Sequence, residues 1–259
     1  MAKKISILSW NVNGIRAAEK KGFIDFLENS PYDIVAIQET KVSHPELLSD
    51  KLRHPKGFNS YWQCDDVKKG YSGVAVYSKL VAEKVVTQFP GTLSKEGRVI
   101  ELHFKDFIFL NIYFPNGGSG SERLKYKLEF YKVFVEYVNK LKKIGKPIVF
   151  CGDVNTAHAE IDLARPKQNE NTSGFMPVER AWLDRFVKEG FIDTFRLLHP
   201  EEVKYSWWDL KTGARARNVG WRIDYFYTTS DLKSKIKTAD ILTEVYNSDH
   251  APVILELAI

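Results

Sequence analysis

Only two cysteines, Cys64 and Cys151, occur in 259 residues. Neither has a Cys or His neighbour at zinc-ligand spacing, so a disulfide framework and a structural zinc site are both excluded. Both thiols are expected to be reduced. Ten prolines and 16 glycines are too few for a disordered or collagen-like chain. Long apolar runs are also missing. Phe107 to Tyr113, one of the longest, is interrupted by Asn111 and falls far short of the roughly 20 residues that span a bilayer. The N-terminal stretch starts basic but passes from Trp10 straight into Asn11-Val12-Asn13-Gly14, which leaves no complete secretory leader. The expectation is a cytoplasmic protein with no membrane contact. The chain also contains no G-x-x-x-x-G-K-[ST] loop, no G-x-G-x-x-G after a strand, no G-x-S-x-G elbow and no H-E-x-x-H. The commonest nucleotide, dinucleotide, serine-hydrolase and zinc-protease signatures are therefore absent.

What is present is an ordinary globular composition, 44% apolar and 27% charged. With no linker, repeat or low-complexity segment, residues 1–259 read as one domain. The net charge is only +5, so its distribution carries more information. Between Asp209 and Asp224 there is no acid, yet Lys211, Arg215, Arg217 and Arg222 fall there, bracketed by Trp207, Trp208 and Trp221. Cations interleaved with aromatics suit a polyanion that presents flat bases or a sugar edge. A solvated basic loop with tryptophans in the core is the alternative.

Short apolar runs recur and stop at polar tips. Ile5–Trp10 stops at Asn11, Ile34–Ile37 at Gln38-Glu39-Thr40, Ile108–Phe114 at Pro115-Asn116, and Ile148–Cys151 at Gly152-Asp153-Val154-Asn155; Val245-Tyr246 leads into Ser248-Asp249-His250. Such runs read as buried strands whose ends gather carboxylates and amides at one sheet edge. Apolar spacing of three and four predicts a helix over Ser121–Lys143, with Ser121 as cap and Gly145 beyond its end, and shorter helices over Gly22–Asn29 and Val178–Glu189. Gly73–Lys79, Arg98–Phe104, Trp221–Thr228 and Val253–Leu257 alternate at period two. The order suggests two sheets face to face with helices outside.

Three tips carry chemistry. An ionised Glu39 at the end of a buried strand needs a partner, and a hard divalent cation is one; a helix cap or surface ion pair is the other. Asp153 and Asn155, two apart on an extended chain, project to one side and could hold a water between them, although an Asx-turn gives the same spacing. Asp224 sits inside a β-favouring run and needs a partner, for which His250 is the candidate. An Asp that orients and charges a His makes a group able to bind phosphate or move a proton.

Together with Ser9–Ala17, Gly70–Ala75, Tyr113–Asn116, Cys151–His158, Ser173-Gly174-Phe175, Asn218–Tyr225 and Ser248–Pro252, these tips resemble the exonuclease III family of abasic-site DNA endonucleases, in the wider group of metal-dependent phosphodiesterases that includes deoxyribonuclease I. The resemblance runs in order from residue 5 to residue 255. It implies a four-layer α/β sandwich of two mostly antiparallel sheets, and a monomer acting on duplex DNA that contains abasic sites. It further implies that Glu39, with Asn11 and Asp249, holds Mg²⁺ or Mn²⁺, and that a second metal would lie near Asp153, Asn155 and His250. Asp153 would activate water, Asn155 would bind the phosphate or the water, Tyr113 and Asn116 would contact phosphate, and His250 paired with Asp224 would bind the scissile phosphoryl group. Trp207, Trp208 and Trp221 would line a pocket for the extrahelical sugar, and Lys211 and Arg215 would hold the duplex. Two positions depart from relatives: Asn13 is an amide where some members carry an acid, which leaves the number of metals open, and Ser119 stands where a family arginine enters the major groove. The implied activity is cleavage 5′ to an abasic site, with 3′-exonuclease and 3′-phosphatase activity beside it. The competing readings are a phosphodiesterase of the same group acting on another phosphate ester and a non-catalytic DNA-binding protein.

Overall fold

A computed structural model describes residues 3–65 and 68–259; Met1 and Ala2, which open the basic N-terminal stretch, lie outside them. The chain lays down β1 (Lys4–Asn11), β2 (Ile34–Gln38), β3 (Asn59–Gln63) and β4 (Val74–Ser78), then crosses to β5 (Lys84–Val86), β6 (Val99–His103), β7 (Ile108–Tyr113), β8 (Ile148–Asp153) and β9 (Phe191–Asp193). A short ribbon of β10 (Trp207–Trp208) and β11 (Gly220–Trp221) precedes β12 (Asp224–Thr229), and β13 (Ile236–Ile241) and β14 (Val253–Ala258) return to the first sheet. The sheet orders are β13-β14-β1-β2-β4-β3 and β5-β6-β7-β8-β12-β9. Each contains one parallel pair at its centre, β1 with β2 and β7 with β8, and is otherwise antiparallel.

The strands face two ways at period two. Ile5 and Ile7 of β1 pack toward the other sheet, against a layer that includes Leu102, Phe109, Val149 and Phe226, while Leu8 and Trp10 point outward to Phe23 and Leu27. The helices α1 (Ile15–Lys20), α2 (Phe23–Glu28) and the single turn α3 (Asp50–Arg53) cover that outer face. On the far side lies α4 (Ser121–Lys142), followed after the short α5 (Pro166–Asn169) by α6 (Pro177–Lys188), while α7 (Thr194–Leu198) packs against β12 of one sheet and β13 of the other and places Phe195 in the core between them. Phe130, Phe134 and Val138 of α4, with Leu183 and Phe186 of α6, bury Leu110, Phe150 and Tyr227. Helix, sheet, sheet and helix make four layers, so most strands are covered on both faces. That is why β4 and β6 are buried throughout rather than alternating as their sequence suggested, and β14 alone of the four shows the alternation.

Three further expectations are corrected. Helix α4 is entered through Gly120 (φ 102, ψ 174), a conformation suited to glycine, and Ser121 is its first residue with no side-chain cap bond. Val245-Tyr246 is not a strand; the backbone turns there, with Val245 N–H donating to Leu242 O at 3.1 Å. The run Trp221–Thr228 is two strands in two different sheets, broken at Arg222-Ile223, where the Arg222 N–H donates to Asp162 O at 2.7 Å.

Candidate active site

The two parallel pairs decide where polar groups collect. Asn11 ends β1 beside Gln38, which ends β2 just before Glu39, and Tyr113 ends β7 beside Asp153, which ends β8. Asp153 in turn faces Asp224 at the start of the antiparallel neighbour β12. Four carboxyl-terminal strand ends, two from each sheet, thus open on one cleft. Beyond them the backbone turns sharply: Asn13, Glu39, Lys41 and Asn155 all have left-handed φ of 49 to 57. Non-glycine residues held this way carry strain that clusters at functional sites.

The cleft, about 290 Å³, is lined by Asn13, Glu39, Tyr113, Asn116, Asp153, Asn155, Thr172–Gly174, Trp207, Trp221, Ile223, Asp249 and His250. Asp153 lies at its floor. Its Oδ1 accepts the Asn155 N–H at 2.8 Å, and its Oδ2 accepts from Asn11 Nδ2 at 2.9 Å and Asn155 Nδ2 at 3.2 Å. The first of these bonds is an Asx-turn, so the two side chains meet through a turn and not along an extended strand. Asn116 Nδ2 donates to Asn155 Oδ1 at 3.0 Å. Burial and the neighbouring Asp224 carboxylate push the Asp153 carboxyl up to about 7, against the pull of His250.

His250 Nδ1 lies 2.9 Å from Asp224 Oδ2, as the sequence suggested, and its Nε2 stands 3.9 Å from Asp153 Oδ2. Ser206 Oγ donates to the same Asp224 oxygen at 2.6 Å. Burial disfavours the charged ring, but Asp224 more than compensates and holds His250 at about 10. At neutral pH the ring is an imidazolium with Nε2 available to an anion. Tyr113 is held well above the usual phenol range by burial and by the charge of Glu39, so it remains a neutral hydroxyl donor.

Glu39 is half-buried and does have a protein partner: Lys41 Nζ is 3.1 Å away. Asn11 Nδ2 also donates to it, at 3.0 Å, while Asn11 Oδ1 accepts the Asn13 N–H at 2.9 Å. Asn11 therefore braces two carboxylates, Glu39 and Asp153, through its nitrogen. Asp249 accepts from Asn13 Nδ2 at 2.9 Å and from Trp207 Nε1 at 3.1 Å. Burial acts to raise its pKa, and His250 together with these two bonds outweighs that and lowers it. The donor set suits a hard cation, since Glu39, Asp153 and Asp249 all offer oxygen. Asp153, Asp224 and His250 also place three ligand atoms within 4.8 Å of one another, and Asp224 Oδ1 is a buried acceptor with no partner among the described residues.

The aromatic and basic residues divide. Trp207 and Trp221 form an edge-to-face pair, 6.4 Å between ring centroids, on the cleft wall. Trp208 does not join them; it is 2% exposed and packs into the core between the sheets. Arg215 donates to Thr243 O and Val245 O at 2.7 Å and to Ser248 O at 3.2 Å, and stacks on Trp208. It clamps the segment before Asp249, so its guanidinium is spent inside the protein. Arg222 is buried between Asp162 and Asp193, each at 2.7 Å. Of the four cations in the acid-free stretch, Lys211 and Arg217 are exposed, as is Ser119 on its glycine-rich loop. Sequence reasoning missed Lys41, Ser206, and Arg98, which lies under Tyr113 and donates to its carbonyl at 2.9 Å. It also missed Lys127, whose only signal is a lysine in register with the buried Phe130, Phe134 and Val138.

Residues 8–250 match the endonuclease/exonuclease/phosphatase family. The chain belongs to that family. It is 41% identical over 254 residues to an exodeoxyribonuclease of Bacillus subtilis, covering 97% of this chain and 98% of that one. It is 39% identical over 260 residues to the DNA repair nuclease APEX1 of Danio rerio, covering 100% of this chain and 84% of the other. The solved structure of an AP endonuclease from Archaeoglobus fulgidus superposes with a TM-score of 0.89 at 28% identity, covering 98% and 100% of the two chains. The protein is thus a hydrolase with the α/β-sandwich fold of these nucleases.

Proposed function

We propose that this protein is a metal-dependent DNA-repair nuclease that cuts duplex DNA at the phosphodiester 5′ to an abasic site, leaving a 3′-hydroxyl and a 5′-deoxyribose phosphate. The observation that carries the reading is one buried carboxylate, Asp153, fixed by three amide N–H groups and facing a charged His250 across 3.9 Å. DNA as substrate is supported by the relatives named above, and abasic specificity by the AP endonuclease among them.

Asp153 takes the proton of the attacking water, a role its pKa of about 7 suits at neutral pH. The His250 imidazolium binds a non-bridging phosphate oxygen and absorbs charge as the phosphoryl group expands. Asp224 keeps that ring charged and oriented. Tyr113, Asn116 and Asn155 donate to phosphate oxygens. Trp207 and Trp221 accept the abasic sugar, which has no base to stack and costs less to extrude than an intact nucleotide. Glu39, Asn11 and Asp249 are the proposed holders of Mg²⁺ or Mn²⁺, and a second ion at Asp153, Asn155 and His250 would have to displace the proton that His250 carries. A bound cation supplies charge at the phosphate and eases departure of the leaving oxygen.

The Lys211 and Arg217 side chains, both exposed, would meet backbone phosphates. Action as a monomer, with residues 1–259 as one catalytic domain, is part of the same proposal. Cys151 is a free thiol, which suits the reducing cytoplasm, and no helix among the described residues is long and apolar enough to cross a membrane. Incubating the protein and Mg²⁺ with a labelled duplex carrying one abasic site tests the reading. Nicking 5′ to the lesion, far faster than cleavage of the intact duplex, is expected; equal cleavage of both overturns the specificity.

A further inference from the structure

One buried charge pair lies beside the cleft and has no part in the chemistry above. Lys127 of α4 and Glu179 of α6 are both 0% exposed, with Nζ 2.7 Å from Oε1. Each also reaches a backbone or side-chain group at the rim of the cleft. Lys127 Nζ donates to Asn155 O at 2.7 Å. Glu179 accepts from Ser173 Oγ at 2.9 Å, from the Gly174 N–H at 2.6 Å and from the Met176 N–H at 3.2 Å. The loop and the turn are joined again by the Ala157 N–H, which donates to Gly174 O at 2.8 Å.

Stability alone is a poor reason for such a pair. Replacing a buried ion pair by apolar residues of similar volume is often neutral or stabilising, and α4 and α6 already share Phe130, Phe134, Leu183 and Phe186. What apolar residues cannot do is fix two backbone groups. The Asn155 peptide is held at φ 55, outside the region most residues prefer, and its side chain must reach both Asp153 Oδ2 and Phe114 O. Gly174 sits so close that a Cβ there would lie 3.1 Å from Asn155 O and 3.2 Å from the Trp221 ring.

We infer that Lys127 and Glu179 are positioning residues for the reaction: the pair locks the Asn155 turn and the Ser173-Gly174 wall to one another, setting Asn155 against Asp153 and the wall against Trp221. The inference rests on the nuclease reading above and adds to it how the two halves of the cleft are kept in register.

The test is the double variant Lys127→Met/Glu179→Leu, which removes both charges and leaves neither stranded. The Asn155 carbonyl, the Ser173 hydroxyl and the Gly174 and Met176 amides lose their partners in it, so it should melt below the wild type; at a temperature where it is folded it should bind the abasic duplex within about twofold. Its single-turnover rate should fall at least about tenfold, and its preference for abasic over intact duplex should fall with it. A role confined to stability would leave both rate and preference unchanged, and a folded double variant with wild-type values of each overturns the inference. Hydrogen exchange on the wild type gives a readout that needs no variant. The Gly174 amide, although in a loop, should exchange as slowly as the interior amides of α6, and free exchange there also overturns the proposal. If the wild type itself does not nick the abasic duplex, the functional reading fails instead, which separates the two outcomes.

Discussion

The ring of His250 is bonded through Nδ1 to Asp224 Oδ2 at 2.9 Å, and both residues are buried. The pair joins the last loop of the chain to the first residue of β12. It also makes a cation whose free nitrogen faces Asp153. The charge state of this ring is therefore a direct consequence of Asp224.

In the metal-free protein the His250 ring should stay protonated through neutral pH and titrate near 10, well above its ordinary 6.5. Because the folded value is the higher one, the pair's stabilisation is complete below about pH 6.5 and is lost as pH rises through about 10. Asp224→Asn removes the largest of the charges that oppose burial and leaves only Asp153 and Asp249 to do so, and should lower the titration from about 10. Ring chemical shifts followed by NMR report this; a wild-type ring that titrates near 6.5 contradicts the pairing.

Exhaustive treatment with EDTA should abolish nicking, and Mg²⁺ or Mn²⁺ should restore it. Asp153 holds a proton below about pH 7, so a cation drawing on that carboxylate competes with the proton. Its affinity should weaken by up to about tenfold per unit as pH falls below that value. Calorimetric titration checks the sign: affinity that improves in acid refutes the assignment, as does undiminished nicking after chelation.

Neutralising Lys211 or Arg217, both exposed, should lower the slope of log affinity against log salt by about one unit each, whatever the lesion. Arg215→Ala should behave differently. It releases three carbonyls of the segment before Asp249 and should cost about 1 to 3 kcal/mol of stability with little change in slope. Loss of a full unit of slope in Arg215→Ala would return that residue to the DNA surface.

Trp208→Ala and Trp221→Ala should also part company. Trp208 is a core residue, and its truncation should cost roughly 3 to 5 kcal/mol and depress all activities together. Trp221→Ala should reduce the preference for abasic over intact duplex while the salt slope holds. A Trp221 variant that is destabilised yet keeps its lesion preference would refute the pocket role.

The strand ends were legible in the sequence because each apolar run is short, β-favouring and closed by a polar residue, and the pairing of Asp224 with His250 followed from a carboxylate stranded in a β-run. Which faces were covered was not legible: alternation in β4 and β6 looked like half-burial, and only the tertiary packing of helices on both outsides reveals them as interior. The fates of Arg215, Arg222 and Trp208 were hidden for a related reason. A local stretch shows cations without acids, but Asp162, Asp193 and the carbonyls of residues 243, 245 and 248 come from elsewhere in the chain.

The central claim is that Asp153 is the base. Asp153→Asn keeps the size of the side chain and removes its ability to take a proton. Under single-turnover conditions with saturating protein and Mg²⁺, the variant should bind the abasic duplex within a few-fold of wild type and cut it at least about a hundredfold more slowly. Cutting at a near wild-type rate would contradict the account.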